Sequence, residues 1–316
     1  MSRRFMVALP VCASAILAVA LAGPVGAQAF EPVEVGHASR SANPADIDAL
    51  LDQMTLDEKI GQLVQRMGGR SKALNSRLGP DELEKVRRGE VGSYLHVAGA
   101  EPLRGLQRVA VEESRLGIPL LFSMDVVHGY RTIFPVPLAM AASWDPDTAE
   151  RHARIAATEA SAAGLHWTFA PMVDIARDPR WGRIVEGAGE DAFLGSRMAV
   201  AQVRGFQGGN LAAADTIIAG TKHFGAYGAA EGGRDYAGAE VGERSMREVY
   251  LAPFRAAAEA DTASYMTAFN AVDGVPTTGN AALLRNMLRD EWGWEGLLLS
   301  DWRAVEELMA HGVAGS

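Results

Sequence analysis

Gly296-Leu297-Leu298-Leu299-Ser300-Asp301-Trp302 decides the fold. An apolar run of this length reads as a strand, and it delivers one carboxylate, Asp301, at its C-terminal end. The plan recurs upstream at residues 91–97, 119–124, 166–170, 219–224 and 264–268, separated by helical stretches. Residues 146–163 and 283–291 carry helical apolar spacing, and Gly164 caps the first of them. Further upstream, 45–64 begins as an amphipathic helix with Leu50, Leu51 and Met54 on one face. Thr55-Leu56-Asp57-Glu58 is a capping box that opens a second segment through Ile60, Leu63 and Val64. Pro80 starts another helix and Gly89 stops it. Six strand-helix alternations imply a parallel sheet with crossover helices. An open doubly wound sheet would carry a glycine-rich phosphate turn after its first strand, and Val97-Ala98-Gly99-Ala100 lacks that spacing. Polar residues instead crowd the C-terminal strand ends: Asp125 and His128, residues 174–183, Lys222 and His223, Asn270, Asp301. The expected class is therefore α/β, a TIM-type (β/α)8 barrel with about six of its eight units present.

Residues 1–29 have the order of a secretory signal: Arg3 and Arg4, an apolar stretch over 5–21, then small residues ending Ala27-Gln28-Ala29. Cleavage is expected after Ala29, which leaves 30–316 as the barrel domain and places it in the periplasm or outside the cell. A retained anchor would need a longer apolar span than Gly23 and Pro24 permit. Cys12, the only cysteine, lies inside the signal, so the mature chain forms no disulfide. The chain has 30 basic and 39 acidic residues. Loss of two signal arginines takes the net charge from −9 to −11. Nothing basic remains to attract nucleic acid or anionic lipid.

Several strand ends carry chemistry. Asp125 could accept two sugar hydroxyls as an ionised carboxylate, or merely cap the next turn. His128 reads either as a catalytic group or as a buried ring bonded to backbone. In Asp178-Pro179-Arg180-Trp181-Gly182-Arg183, Arg180 or Arg183 could present a planar guanidinium to vicinal hydroxyls, whereas Arg180, Glu186 and Asp191 suit an ion-paired loop scaffold. A lysine buried at a strand end without a role is costly, so Lys222-His223 reads as a pair of donors aimed into the pocket of Asp125. Residues 225–233 read as a flexible loop, and Glu231 and Asp235 are candidates to orient His223. His128, His166 and His223 form no recognisable metal-ligand pair, so neither metal nor cofactor is expected.

Asp125-Val126-Val127-His128-Gly129, Asp178-Pro179-Arg180-Trp181-Gly182-Arg183, Lys222-His223-Phe224, Asn270-Ala271-Val272-Asp273-Gly274 and Ser300-Asp301-Trp302, in this order, resemble the N-terminal barrel of glycoside hydrolase family 3, β-glucosidase type. The resemblance spans about 45–316. It implies a retaining exo-acting β-glycosidase that removes a terminal non-reducing sugar, usually glucose, from a β-glucoside or oligosaccharide by double displacement. On the matching positions, Asp301 is the nucleophile and Asp125, Arg183, Lys222 and His223 hold the sugar hydroxyls. Met266 and Trp302 line the sugar, and Arg180 is scaffold. Phe269 stands where the family often has tyrosine, so a hydroxyl near the nucleophile is missing.

A retaining mechanism also needs a protonated carboxyl about 5 Å from the nucleophile. In the resembling β-glucosidases that group is a glutamate of a second domain, which these residues do not include. Glu186 and Glu190 match scaffold positions, and Glu306 and Glu307 point away from the strand mouth. The chain is thus expected to be a truncated and nearly inactive front portion. Two alternatives stand beside this reading. One is the β-N-acetylhexosaminidase branch, whose acid/base loop follows the fourth strand; His223-Phe224-Gly225-Ala226-Tyr227-Gly228 lacks its proline and second histidine. The other is a non-catalytic sugar-binding barrel, which would have no need of Asp301. Oligomeric state is not legible.

Overall fold

The structure, a computed structural model, describes residues 44–68 and 79–315. The expected signal segment, its cleavage point after Ala29 and Cys12 lie outside the described residues. Within them, a parallel sheet is built from β1 (Gln65–Met67), β2 (Ser93–Leu95), β3 (Leu121–Met124), β4 (Trp167–Thr168), β5 (Ile218–Phe224) and β6 (Ser264–Thr267), and after a hairpin of β7 (Ala271–Val272) and β8 (Val275–Pro276) it ends with β9 (Leu297–Leu299). The order is β1-β2-β3-β4-β5-β6-β9, every neighbour parallel. This is the curled wall of an incomplete (β/α)8 barrel.

All six expected strands are present, and β1 is a seventh that the apolar pattern does not reveal. Its Gln-Arg-Met has no apolar pattern of its own. It is a strand because Ser93, Tyr94 and Leu95 offer it an edge to pair with, in the register Gln65↔Ser93 to Met67↔Leu95. The helices before it match expectation. Chain direction changes between α1 (Pro44–Gln53) and α2 (Leu56–Leu63), where the Thr55 hydroxyl accepts from Glu58 N–H and the Glu58 carboxylate accepts from Thr55 N–H. α3 (Pro80–Arg87) ends at Gly89, whose φ of 72° favours glycine.

Strand alternation sends side chains to two faces. Tyr94, Phe122 and Tyr265 go outward into the main core beneath α4 (Ala100–Arg108), α6 (Pro146–Ala162), α7 (Ala192–Gln207) and α9 (Ala252–Glu259); α5 (Pro137–Ala141) and the short α8 (Glu243–Ser245) lie between these. Burying each large side chain stabilises the fold by roughly 1.5–3 kcal/mol. Inward, Leu95, Trp167, Phe169, Ile218, Met266 and Leu299 form a smaller cluster that fills the barrel floor. Polar inward positions pair among themselves: Gln65 donates to Ser93 and Ser123, and Trp167 Nε1 donates to Ser264 Oγ at 2.8 Å. Gly220 is required here, since a Cβ would stand 2.6 Å from Thr168 O and 3.1 Å from Trp167 Nε1.

Above this floor, residues 170–174 run along β5 and hold its end. Lys222 N–H donates to Pro171 O at 2.9 Å and Val173 N–H to Lys222 O at 2.8 Å. The last helix, α10 (Ala304–Ala310), follows β9 after Asp301 and Trp302. The segment 225–233, expected to be a flexible loop, is instead folded into two tight 3-10 turns with Tyr227, Gly228 and Gly233 buried. Gly228 packs so closely on the Ile175 carbonyl that a Cβ would approach it to 2.3 Å.

Candidate active site

A cavity of about 920 Å³ opens at the C-terminal ends of the strands. Its wall includes His96 after β2, Asp125 after β3, Arg183, Lys222 and His223 on β5, Met266 on β6, and Asp301 and Trp302 after β9. Seven of the eight residues expected at the site thus share one cavity. Phe269, the eighth, is not part of its wall and packs against Tyr236 and Tyr227, with ring centroids 4.5 and 6.0 Å away.

Asp125 is gripped from both sides. Lys222 Nζ donates to Oδ1 at 2.9 Å, and His96 Nε2 lies 2.9 Å from Oδ2. Burial opposes its ionisation, but the His96 hydrogen bond and the Lys222 ammonium outweigh it and hold the carboxyl well below the usual range. Asp125 is therefore a fixed anion, with lone pairs left for hydroxyl donors.

Asp301 has the opposite environment. Its Oδ1 accepts the backbone N–H of Trp302 at 2.6 Å, and its buried Oδ2 has no hydrogen-bond partner, with His223 Nε2 at 3.5 Å. Burial pushes its carboxyl up to about 6, against the pull of the Trp302 N–H, Lys222 and Arg183. At neutral pH it is an anion with one oxygen unengaged.

His223 is fully buried and held from behind by Asp174. Oδ2 of Asp174 accepts the backbone N–H of His223 at 2.9 Å and faces its Nδ1 at 2.9 Å. This corrects the expectation that Glu231 or Asp235 orients the ring, because Glu231 is exposed and Asp235 accepts the indole N–H of Trp181 at 2.9 Å. Burial, with Arg183 and Lys222 nearby, pushes the imidazole far below its ordinary range and keeps it neutral.

Arg183, in the cavity wall, is paired bidentately to Glu186 at 2.7 and 2.9 Å, 5.5 Å from the Tyr227 ring centroid. Arg180 turns to solvent and pairs with Asp178 at 2.6 Å, while Asp191 caps α7 through Leu194 N–H at 2.7 Å. The loop-scaffold reading of Arg180, Glu186 and Asp191 agrees with these bonds. His128 bonds the carbonyl of Phe134 at 2.9 Å, outside the cavity. Asn270 is buried beside the β7–β8 hairpin, where Thr277 Oγ1 donates to its carbonyl at 2.7 Å; it does not reach the cavity. Glu306 pairs with Arg303 at 2.5 Å, and neither Glu306 nor Glu307 lines the wall.

His96 and the wall formed by Gln65, Arg66 and Met67 were not singled out from the sequence, and Asp174, which lies in the polar run 174–183, was not expected to face His223. A signal existed for His96, since it is the polar residue at the end of its strand. It was hidden because it fell within the expected strand 91–97, whereas the strand stops at Leu95 and His96 turns to φ 60°. Among the described residues, no group of three or more His, Cys, Asp or Glu is placed to hold a metal ion. No helix among them is long and apolar enough to cross a membrane.

The profile of the Glycosyl hydrolase family 3 N terminal domain matches residues 55–315. The chain belongs to this family. It is 41% identical over 278 residues to a periplasmic beta-glucosidase of Salmonella typhimurium, covering 86% of this chain and 35% of that protein. A putative beta-xylosidase of Formosa agariphila is 34% identical over 283 residues, covering 83% of this chain and 37% of that protein. The crystal structure of a beta-glucosidase from Listeria innocua in complex with isofagomine superposes with a TM-score of 0.78 at 41% identity, over 87% of this chain and 39% of that one. A mutant of the same enzyme, solved with laminaribiose, gives 0.79. The chain thus spans little more than a third of the length of these family members. The family resemblance read from five motifs is confirmed, as is the barrel class.

Proposed function

We propose that this chain carries the terminal-sugar site of a retaining exo-acting β-glycosidase, with a β-D-glucosyl residue as the preferred sugar. The observation that carries the reading is Asp301: a carboxylate with one buried, unengaged oxygen, in the wall of a cavity that also holds the fixed anion Asp125. Asp301 attacks the anomeric carbon, and the covalent glycosyl-enzyme is then hydrolysed. Lys222 and Arg183 favour its ionised form and screen charge that develops beside it. Asp125, Lys222, Arg183 and His223 bind the hydroxyls, and Met266 and Trp302 form apolar walls against the ring.

The proton donor comes from outside the described residues, since no second carboxyl with a raised pKa stands free at the cavity: Asp174 is fully buried and Asp125 is held ionised. Residues 30–316 alone are therefore nearly inactive; brisk hydrolysis of an aryl β-glucoside by that purified segment would sink this part. The charged-apolar-small order of residues 1–29, together with the periplasmic relative, supports export. N-terminal sequencing of the mature protein is expected to begin at Phe30.

A fluorinated glucoside that slows the second step tests the reading in the full-length protein. Peptide mass analysis is expected to find the label on Asp301, and a label on any other residue overturns the assignment. Matched aryl glucosides and xylosides decide between the two sugars that the relatives' names offer.

A further inference from the structure

The strongest unexplained group at the mouth is Asp174. It sits behind the site, its side chain has no exposure, and the sugar cannot reach it. Burying a carboxylate there is costly unless its bonds compensate. Both of its observed bonds go to one residue: the backbone N–H and Nδ1 of His223, on the same oxygen. The other oxygen, Oδ1, is buried and has no hydrogen-bond partner. Burial raises the Asp174 carboxyl to about 7, and above that pH it is a carboxylate whose Oδ2, already the acceptor of the His223 backbone N–H, accepts from the ring as well; Nδ1 then carries the proton and Nε2, on the opposite side of the ring, does not.

We propose that Asp174 is a positioning residue that locks His223 in the Nδ1–H tautomer and so presents Nε2 to the cavity as a bare acceptor. The proposal rests on the glycosidase reading above and deepens it. Two consequences follow from which nitrogen holds the proton. An acceptor at Nε2 recognises the O–H of a sugar hydroxyl, complementing the Lys222 ammonium, which only donates. It also cannot donate to Asp301 Oδ2, 3.5 Å away, so that oxygen keeps its lone pairs free for attack. In the other tautomer, Nε2–H would close on Asp301 and weaken it as a nucleophile. The groups facing the ring reinforce the lock: Lys222 and Arg183 disfavour an imidazolium, Tyr227 packs edge-on at 5.2 Å, and Asp301 closes the remaining side.

The test combines a spectroscopic and a kinetic measurement on the full-length protein. With 15N-labelled histidine, imidazole nitrogen shifts distinguish bare from protonated Nε2, and the His223 signal is assigned by its loss in His223→Gln. The expected wild-type result at pH 7.5 is a protonated Nδ1 and a bare Nε2; the reverse overturns the proposal without any variant of Asp174. Asp174→Ala removes the acceptor and frees the ring, and is expected to lower kcat/KM for an aryl β-glucoside by about 10²-fold or more, since a mis-set tautomer costs up to about 10⁴-fold in a serine-protease triad. Asp174→Asn retains the lock: the backbone N–H of His223 cannot change its proton, so it selects the amide oxygen, which then also accepts from Nδ1. That variant is expected to lose no more than about tenfold and to keep the bare Nε2 signal. Equal losses in Asn and Ala with an unchanged tautomer would show that charge alone matters and overturn the proposal. Labelling of Asp301 by the fluorinated glucoside separates the two failures. A labelled Asp301 with a protonated Nε2 defeats this inference only, and a label elsewhere defeats the reading on which it rests.

Discussion

The charges on the outer helices and those at the strand mouth differ in how far they are withdrawn from water. Outside, many pairs lie within one helical turn and face water, such as Arg244 with Glu248, Arg255 with Glu259 and Arg303 with Glu306, and the longer-range ones, such as Arg247 with Glu291, are exposed too. At the mouth they are distant in sequence, and at least one partner is buried: Lys222 meets half-exposed Asp125 across 97 residues and His223 meets Asp174 across 49. Exposed pairs contribute little, because water screens them and ordering two long side chains costs entropy. The mouth pairs exist only because the fold withdraws Lys222, His223 and Asp174 from water, and removing one partner strands the other.

The contrast can be strained at several points. The largest effect is expected at Asp301, where Asp301→Asn in the full-length protein should reduce turnover of an aryl β-glucoside by more than about 10³-fold while leaving its melting temperature nearly unchanged. Lys222→Met should come next: Asp125 loses its ammonium, and kcat/KM falls by about 10²-fold, roughly 2.7 kcal/mol of transition-state stabilisation. If Lys222→Met behaved like a surface substitution, the contrast would collapse.

The pH dependence of kcat/KM offers a sharper measure. The proposed attack by Asp301 requires its ionised form, and its carboxyl is raised to about 6, so activity should fall as pH drops through about 6. A limb that stays flat down to about pH 4 would place the nucleophile in an ordinary solvated environment. Gly205→Ala tests the apolar layer instead. A Cβ there would stand 2.4 Å from Glu150 O and 2.5 Å from Ala153 Cβ, between α6 and α7. Stability should drop by about 1–3 kcal/mol with kcat retained in the folded fraction. The smallest effect is expected for Arg255→Gln, whose exposed partner Glu259 lies one turn away; unfolding should shift by less than about 0.5 kcal/mol.

The same division separates what was legible from what was not. Capping at Thr55, the stop at Gly89, the helix over 146–162 and six of the strands are local events, each set by residues within one turn or one run. β1 was illegible because three residues of mixed polarity become a strand only when β2 offers its edge. Seven of eight expected site residues converge because barrel topology brings strand ends together, so position at a strand end is already information about the site. His96 and the pairing of Asp174 with His223 escaped because nothing in a loop sequence states which group it will face.

By itself, the sequence determined the alternation of strand and helix, the polar strand ends and the family, because periodicity, caps and motif order act over short distances. The tertiary structure alone decided that Asp125 stays an anion, that Asp301 is raised towards neutrality and that His223 is gripped by Asp174. Those properties depend on burial and on charges brought together across 49 to 97 residues, which no local pattern encodes.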